Sequence, residues 1–234
     1  MESSRSWLLA AVLLLGMPAA RPLVAQVDYR NLDDGRPTRV TDAYPVERFA
    51  FEFSVGGRLR GRQGFASPHL EYGVVRNLMV GVGAELGAPG SHAEVSALWN
   101  ARRETPGFPA VSVSAAIGLD PVIGLLATRS FGLARLHFNG ALDLSGPAGW
   151  WGGLAADRTL FRRSTLVVTE VVAERVGGGQ PVEWSAAVGL RRQITPTVVL
   201  HGGASQGFGR LGTEINFGLS YAFAIAGLMP RGPR

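Results

Sequence analysis

The stretch Glu214-Ile215-Asn216-Phe217-Gly218-Leu219-Ser220-Tyr221-Ala222-Phe223 alternates apolar residues with small or polar ones. Successive side chains of a β-strand point to opposite faces of the sheet, so this stretch predicts a strand with one apolar and one polar face. The same period of two runs from Arg48 through the Phe-rich segment that follows. The sequence therefore predicts an all-β fold.

The alternation recurs along most of the chain and predicts about twelve strands. Most of them have close to the ~9–11 residues that a tilted strand needs to cross a bilayer. The pattern is weakest near residues 122–130, 149–158 and 164–175. The predicted strands lie near 48–58, 67–75, 77–87, 91–102, 108–119, 122–130, 132–144, 149–158, 164–175, 182–192, 196–206 and 212–224.

Two features of the composition favour a barrel in lipid over a soluble sheet. The polar face consists mainly of Gly, Ser, Ala and Asn, whereas a soluble sandwich usually turns a charged face outward. All 23 basic residues are Arg, so the Lys residues that commonly guard exposed sheet edges are absent. A closed sheet has no edge to guard, and lipid forbids an open one. We predict an antiparallel transmembrane β-barrel, an up-and-down meander over residues 48–224.

Aromatic residues on the apolar face fall near the predicted strand ends, as interfacial girdles require. At one end lie Phe49, Tyr72, Trp99, Tyr221 and Phe223, and at the other lie Trp150 and Trp184. An even number of strands places both ends of the barrel chain on the periplasmic side.

The ends of the chain suggest export. Trp7 to Ala20 is an apolar run that follows Arg5. Leu23-Val24-Ala25 after it ends in a small residue, as a cleavage site for signal peptidase does. This anatomy predicts a signal peptide over residues 1–25, with cleavage after Ala20 as an alternative. Residues 26–47 have no strand period and are predicted to form an irregular periplasmic or plug-like lead-in, and residues 225–234 a tail. The expected location is the bacterial outer membrane, with membrane lipid and the barrel-assembly machinery as partners.

Part of the sequence resembles a known family. The segments are Asn31-Leu32-Asp33-Asp34-Gly35-Arg36-Pro37, Asp42-Ala43-Tyr44-Pro45 and Leu70-Glu71-Tyr72-Gly73-Val74-Val75-Arg76-Asn77-Leu78. With the Phe-rich first strand between them, they resemble outer-membrane transporters linked to the meta-pathway of phenol degradation, over residues 31 to about 86. The resemblance implies a barrel of roughly twelve strands that passes hydrophobic or aromatic metabolites.

The charged and amide residues on the polar face are candidates for the lining of a lumen. Their spacing fits no metal template, and no cofactor is predicted. A hydrated lining is favoured because twelve strands enclose more space than the eight whose side chains fill a barrel. The alternative is a sealed lumen in which acids pair with Arg135 and Arg191. The candidates are Glu52, His69, Glu71, Glu85, His92, Glu94, Asn100, Arg135, His137, Asn139, Asp143, Glu170, Glu174, Glu183, His201, Glu214 and Asn216.

Enzyme motifs in the sequence lack the context they need. Gly203-Ala204-Ser205-Gln206-Gly207 matches a nucleophile elbow, which requires a turn and then a helix, but a predicted loop follows it. Gly81 to Gly87 approximates a dinucleotide fingerprint with the wrong spacing and no helix after it. We predict no enzyme, with a lipid-hydrolysing barrel using Ser205 and His201 as a remote third hypothesis. No nucleic-acid partner is expected, because the formal net charge is only +5.

The leading functional hypothesis is an outer-membrane channel for small solutes, hydrophobic or aromatic solutes included, and the alternative is a sealed structural barrel. The outer loops are predicted to be short, the longest near residues 57–66, which disfavours a receptor for large ligands. Pairs of Arg are predicted to lie in periplasmic turns as solvated charge, with anionic headgroups or periplasmic partners as an alternative use. These pairs are Arg102-Arg103, Arg162-Arg163 and Arg191-Arg192.

Overall fold

The structure, a computed structural model, describes residues 22–23, 30–32, 36–87, 90–146, 149–161, 164–177, 179–209 and 212–225. The predicted signal peptide lies outside the described residues except for Pro22 and Leu23, and so does the predicted tail except for Ile225. The strands are β1 Pro22–Leu23, β2 Ala50–Arg60, β3 Gln63–Val75, β4 Leu78–Gly87, β5 His92–Arg102, β6 Ala110–Ile117, β7 Val122–Phe131, β8 Ala134–Asp143, β9 Gly149–Leu160, β10 Thr165–Arg175, β11 Glu183–Thr195, β12 Val198–Phe208 and β13 Thr213–Ile225.

Strands β2 to β13 form a closed barrel. Each strand pairs antiparallel with the next one in the chain, and β13 returns to pair with β2, where Ser220 lies opposite Ser54. The two-residue β1 pairs with the last residues of β13, so that Pro22 lies opposite Ile225. The predicted fold, a twelve-stranded antiparallel meander, is confirmed, and the three weakly alternating runs are the regular strands β7, β9 and β10.

The two faces of the barrel wall differ in chemistry. Large apolar side chains such as Val95, Leu154 and Phe217 are more than half exposed on the outside. Along each strand, these residues alternate with inward-facing ones, among which polar side chains such as Asn139 and Asp157 are buried. An apolar exterior around a polar interior fits a barrel surrounded by lipid.

None of the described residues forms a helix long and apolar enough to cross a membrane.

The two ends of the barrel are distinguished by the chain ends. We call the end that holds Ala50 and Ile225 the terminal end, and the opposite one the distal end. At the terminal end Phe51 stacks on Tyr72 and on Phe223, with ring centroids 4.5 and 5.2 Å apart. The strand does not include Phe49, whose positive φ of 68° interrupts the extended backbone.

The prediction that residues 57–66 form the longest outer loop is wrong. Strand β2 runs to Arg60 and β3 begins at Gln63, which leaves only Gly61 and Arg62 in the turn. Gly61 adopts a φ of 60°, the left-handed conformation that a tight hairpin turn requires and glycine tolerates best. The small and charged residues here belong to strands that extend past the apolar band.

The prediction that Arg191 and Arg192 lie in a turn is also wrong. Strand β11 continues past them to Thr195, and the turn consists of Pro196 and Thr197. Arg191 is completely buried inside the barrel, and Arg192 is exposed outside. Arg102 ends β5, with Arg103 in the turn after it, whereas Arg162 and Arg163 lie outside the described residues.

Candidate functional site

Residues 36–47, which we call the inner segment, run inside the barrel. Its backbone forms neither helix nor strand and bonds to polar side chains of the wall. The amide N–H of Val40 donates to Glu170 Oε2 at 2.8 Å, and the N–H of Arg39 donates to Oε1 of the same carboxylate at 3.0 Å. The Thr41 N–H donates to Asn139 Oδ1 at 2.7 Å. These wall residues satisfy backbone groups that burial would otherwise leave without partners.

Further along the inner segment, the carbonyl oxygen of Ala43 accepts hydrogen bonds from Asn100 Nδ2 at 2.9 Å and from Ser112 Oγ at 2.6 Å. Toward its start, the carbonyl oxygen of Pro37 accepts a hydrogen bond from Asn216 Nδ2 at 2.7 Å. The bonds come from strands on several sides of the barrel. They therefore hold the inner segment across the lumen.

Glycines on the inner face of the wall make room for the inner segment. A Cβ atom on Gly189 would lie 2.3 Å from Cγ of Pro37, and one on Gly153 would lie 2.6 Å from Cγ2 of Val40. Real Cβ atoms do not approach other atoms so closely. The absence of a side chain at these positions lets the inner segment lie directly on the sheet.

A buried ionic cluster lies beside the inner segment. Arg135 pairs with Asp157 of β9 at 2.6 Å and with Asp42 of the inner segment at 3.2 Å. His137 Nε2 lies 2.9 Å from the same Asp157, and its Nδ1 lies 3.0 Å from Thr128 Oγ1. Every one of these side chains is buried. Each charged side chain of the cluster therefore has an oppositely charged or hydrogen-bonding partner, as burial of charge requires.

Two apolar clusters also join the chain's lead-in to the wall. Leu32 and Val40 pack with inward-facing Leu166, Val168 and Val172 of β10. The other cluster contains residues from the inner segment and four strands, with Tyr44 and Ala50 at its edge. Its buried members are Ala43, Val46, Met79, Leu98, Ala110 and Leu126.

Tyr44 anchors the inner segment at the terminal end. Its hydroxyl donates to Glu104 Oε2 at 2.7 Å, and Ser130 donates to the same carboxylate from its backbone N–H at 2.6 Å. Burial raises the pKa of Tyr44, and the Glu104 charge raises it further. Burial opposes ionisation of Glu104, but the hydrogen bonds from Ser130 and Tyr44 and the charge of Arg129 outweigh it and lower the Glu104 pKa.

On the distal side of the inner segment, the barrel contains a cavity of about 790 Å³. Its lining contains seven carboxylates, Asp42, Glu71, Glu85, Glu94, Glu170, Glu174 and Glu214, against four guanidinium groups, Arg36, Arg39, Arg58 and Arg60. Its floor includes Leu32 and residues 36–39 of the inner segment. The formal charges of the lining therefore sum to a negative value. The inner segment bounds the cavity on one side.

Ion pairs neutralise part of this acidity. Glu214 lies 2.8 Å from Arg60 and 4.0 Å from Arg58. Arg58 also pairs with Glu85, and Arg39 of the inner segment pairs with Glu174.

The predicted lining residues divide into three groups. Asp143 and Glu183 are half-buried near the distal ends of their strands, and Asp143 accepts a hydrogen bond from the Ser145 N–H at 2.8 Å. Buried on the inner wall without lining the cavity are Glu52, Asn100, Arg135, His137, Asn139 and His201. Lining the cavity are His69, Glu71, Glu85, His92, Glu94, Glu170, Glu174, Glu214 and Asn216.

Several residues of this site carry no clear signal in the sequence. Asp157 and Thr128 lie in the weakly alternating strands β9 and β7, where the inward face was difficult to assign. Asp42 belongs to the lead-in, and nothing in its local pattern indicates that it meets Arg135. The alternation of β9, with Ala155, Asp157 and Thr159 on one parity, was the available signal for Asp157.

The nucleophile-elbow motif lacks its structural context in the barrel. Ser205 and His201 both lie within the regular strand β12, which continues to Phe208 without the turn and helix of a nucleophile elbow. In the described part of the chain, no group of three or more His, Asp or Glu side chains is placed to hold a metal ion.

Several solved structures resemble the barrel. The KdgM porin aligns with a TM-score of 0.61 at 8% identity, covering 73% of this chain and 98% of that chain. The NanC porin aligns with a TM-score of 0.56 at 10% identity, covering 73% and 98%. The outer membrane protein Omp33 of Acinetobacter baumannii aligns with a TM-score of 0.50 at 11% identity, covering 74% and 97%.

No family model and no curated relative matches the chain. The resemblance to transporters linked to phenol degradation therefore stays a prediction. At identities near a tenth, the structural likeness concerns the fold alone. This chain shares the closed antiparallel β-barrel fold of these porins.

Proposed function

We propose that the chain is an outer-membrane channel for small solutes, with the distal cavity as its vestibule and the inner segment as its restriction. The observation that carries the proposal is the cavity of about 790 Å³ inside a closed barrel, with charged side chains on its wall. Its volume lies within the range of small-molecule sites. A barrel filled only for stability would not need this space.

The charge of the lining supports a preference for cations over anions. The carboxylates of the lining outnumber its guanidinium groups, and fixed charge of one sign in a narrow space concentrates the opposite ions. The KdgM porin has been solved in complex with oligogalacturonate, an acidic saccharide. The acidic lining here favours solutes that are neutral or positively charged.

The vestibule also supports the passage of solutes with an apolar body. Its deeper lining includes Met79, Leu98 and Leu126, and Trp151 adds an apolar ring nearer the distal end, where it lies opposite Glu174. Apolar surface with a few polar groups is typical of sites for hydrophobic or aromatic molecules. This is the solute class that the family resemblance implies.

Conductance across a planar bilayer tests the channel. We expect discrete current steps from the folded wild type and larger steps from a variant that lacks residues 36–47. Resistance of the barrel to unfolding in cold detergent, seen as a heat-dependent shift in gel mobility, verifies that both proteins are folded. Silence of both folded proteins would contradict the proposal.

A sealed barrel with a structural role is the second candidate. The buried pairing of Arg135 with Asp157 and Asp42 favours it, because this part of the lumen is packed around the inner segment. A sealed barrel predicts silence from the folded wild type and from a variant in which only the wall is altered. Steps from the wild type would exclude it.

We propose that the protein reaches the bacterial outer membrane after its signal peptide is removed, assisted by the barrel-assembly machinery, with the terminal end on the periplasmic side. Cleavage after Ala25 would also remove β1, the strand Pro22–Leu23. Fractionation of expressing cells and the N-terminal sequence of the membrane-embedded protein test the location and the cleavage site together. A full-length chain in the cytoplasm would contradict both.

A further inference from the structure

Arginines gather on the outside of the barrel at its terminal end. We define this set, the arginine rim, as Arg48, Arg76, Arg102, Arg103, Arg129, Arg158 and Arg192. All are exposed except Arg129, which is half-buried. Among the described residues, the acidic groups that share this outer surface are Glu47 and Glu104. The rim therefore has a clear positive excess.

Three members of the rim occupy lipid-facing positions of their strands. Arg158 is exposed between buried Asp157 and Thr159, two residues before β9 ends at Leu160. Arg129 stands two residues before the end of β7, and Arg192 stands three before the end of β11. Arg129 and Arg192 also have partners on the wall. The Arg129 guanidinium donates to the carbonyl oxygens of Thr105 and Phe108 and lies 3.8 Å from Glu104. Arg192 Nη1 donates to Thr165 Oγ1. A guanidinium in the hydrocarbon region is costly, but near a strand end the long side chain of Arg158 reaches the headgroups.

Aromatic rings contact other guanidinium groups of the rim near the level of the lipid headgroups. The Arg102 guanidinium lies 3.9 Å from the ring centroid of Phe108, and the Arg48 guanidinium lies 4.3 Å from that of Phe49. Phe108 is about half exposed on the outer surface. Exposed aromatic rings favour the boundary between hydrocarbon and water. These contacts thus place positive charge at the height of lipid phosphates.

Among the residues that the structure describes, the distal end has fewer outward arginines than the rim. The described outward arginines there are Arg62 and Arg175, and Asp120, Asp143 and Glu183 lie at the same end of the barrel. The difference between the ends means that a ligand attracted by charge would favour only one leaflet.

We propose that the arginine rim binds the phosphates of anionic phospholipids in the leaflet at the terminal end. The guanidinium group matches phosphate geometry and is only weakly hydrated, so it suits this contact better than an ammonium group. A lipid is favoured over a soluble anion because the rim lies beside lipid-facing aromatic rings. This inference concerns the outer surface and does not depend on the channel proposal.

Lipid retention measured by native mass spectrometry tests the rim. The full barrel is released from neutral detergent containing equal amounts of phosphatidylglycerol and phosphatidylcholine, and the two bound lipids are counted. The variant R102Q/R158Q removes two rim charges. The variant R62Q/R175Q removes two charges at the distal end and serves as the matched control. Heat-dependent gel mobility shows which variants are folded.

We expect the wild type and R62Q/R175Q to retain phosphatidylglycerol preferentially. In R102Q/R158Q the preference should fall by roughly fivefold for each charge, the usual effect of one basic residue at an anionic surface. Equal retention of the two lipids by the wild type would overturn the proposal, as would an equal loss in both variants. If R102Q/R158Q does not fold, the single variants R102Q and R158Q are compared with R62Q, and the same outcomes decide.

Discussion

Pro37 lies directly on Gly189 of the barrel wall, so closely that a Cβ atom on the glycine would come within 2.3 Å of the proline Cγ. The contact is formed by a bare stretch of backbone in β11 and a rigid ring at the start of the inner segment. It makes the position of the inner segment sensitive to the smallest possible substitution. A methyl group in the wall would have to displace the segment or shift the strand.

The first prediction is that Gly189→Ala loosens the inner segment. Forcing an extra methyl group into a packed site costs about 1–3 kcal/mol, so open events in a planar bilayer should become about tenfold more frequent. Gly202→Ala is the matched control, because a Cβ atom there would meet its nearest neighbour, the carbonyl oxygen of Asn216, at an ordinary 3.6 Å. Equal opening in the two variants would argue that Pro37 does not restrict the lumen.

The sequence predicted the barrel because its lipid-facing side is a local property. Val95, Leu154 and Phe217 each stand between small or polar neighbours, and the period of two is visible without knowledge of any partner strand. Strand β10 alternated poorly for a physical reason. Its inward Leu166, Val168 and Val172 pack against Leu32 and Val40, so both of its faces are apolar.

The contacts inside the lumen could not be predicted in the same way. They join the inner segment to wall residues about 30 to 180 positions away in the chain, such as Val46 to Met79 and Pro37 to Asn216. No local period encodes such pairs. The lead-in could be recognised as irregular, but its route through the barrel depends on glycines and polar side chains that several strands bring together.

The second prediction concerns the buried ionic cluster. Asp157→Asn removes the charge that faces Arg135 and leaves the guanidinium with Asp42 as its ionic partner. Breaking a buried pair typically costs about 3–5 kcal/mol, and with Asp42 retained we expect a loss near the lower value. Urea-induced unfolding of the barrel in vesicles measures it. Asp143→Asn, at the distal end, should change the stability little, and a similar loss there would refute the special role of the cluster.

The third prediction tests whether the cavity lies on the path of ions. Glu94 lines the cavity, and the described residues provide no ion pair for it. Glu94→Gln should lower the ratio of cation to anion permeability by roughly twofold, as expected when one charge leaves a confined lining. Glu183→Gln makes the same change of charge outside the cavity lining and is the control. The reversal potential in a KCl gradient reports the ratio, and an unchanged value in E94Q would place the path elsewhere.

The fourth prediction is a pH window for the anchor between Tyr44 and Glu104. The Glu104 pKa is lowered in the folded protein, so its contribution is present above the ordinary value of 4.5 and is lost as the pH falls through the lowered pKa. The Tyr44 pKa is raised, so its contribution is present below the ordinary value of 10.0 and is lost as the pH rises above it. Open events should therefore be rarest between these limits and increase on both sides.

Two variants separate the halves of this window. Glu104→Gln removes the carboxylate, so the rise in opening below pH 4.5 should flatten while opening at neutral pH increases. Tyr44→Phe keeps the ring in its apolar surroundings but loses the hydroxyl, so the rise above pH 10.0 should disappear. A pH profile that both variants share with the wild type would mean that other groups control the restriction. The anchor would then hold the turn at the terminal end without controlling the inner segment.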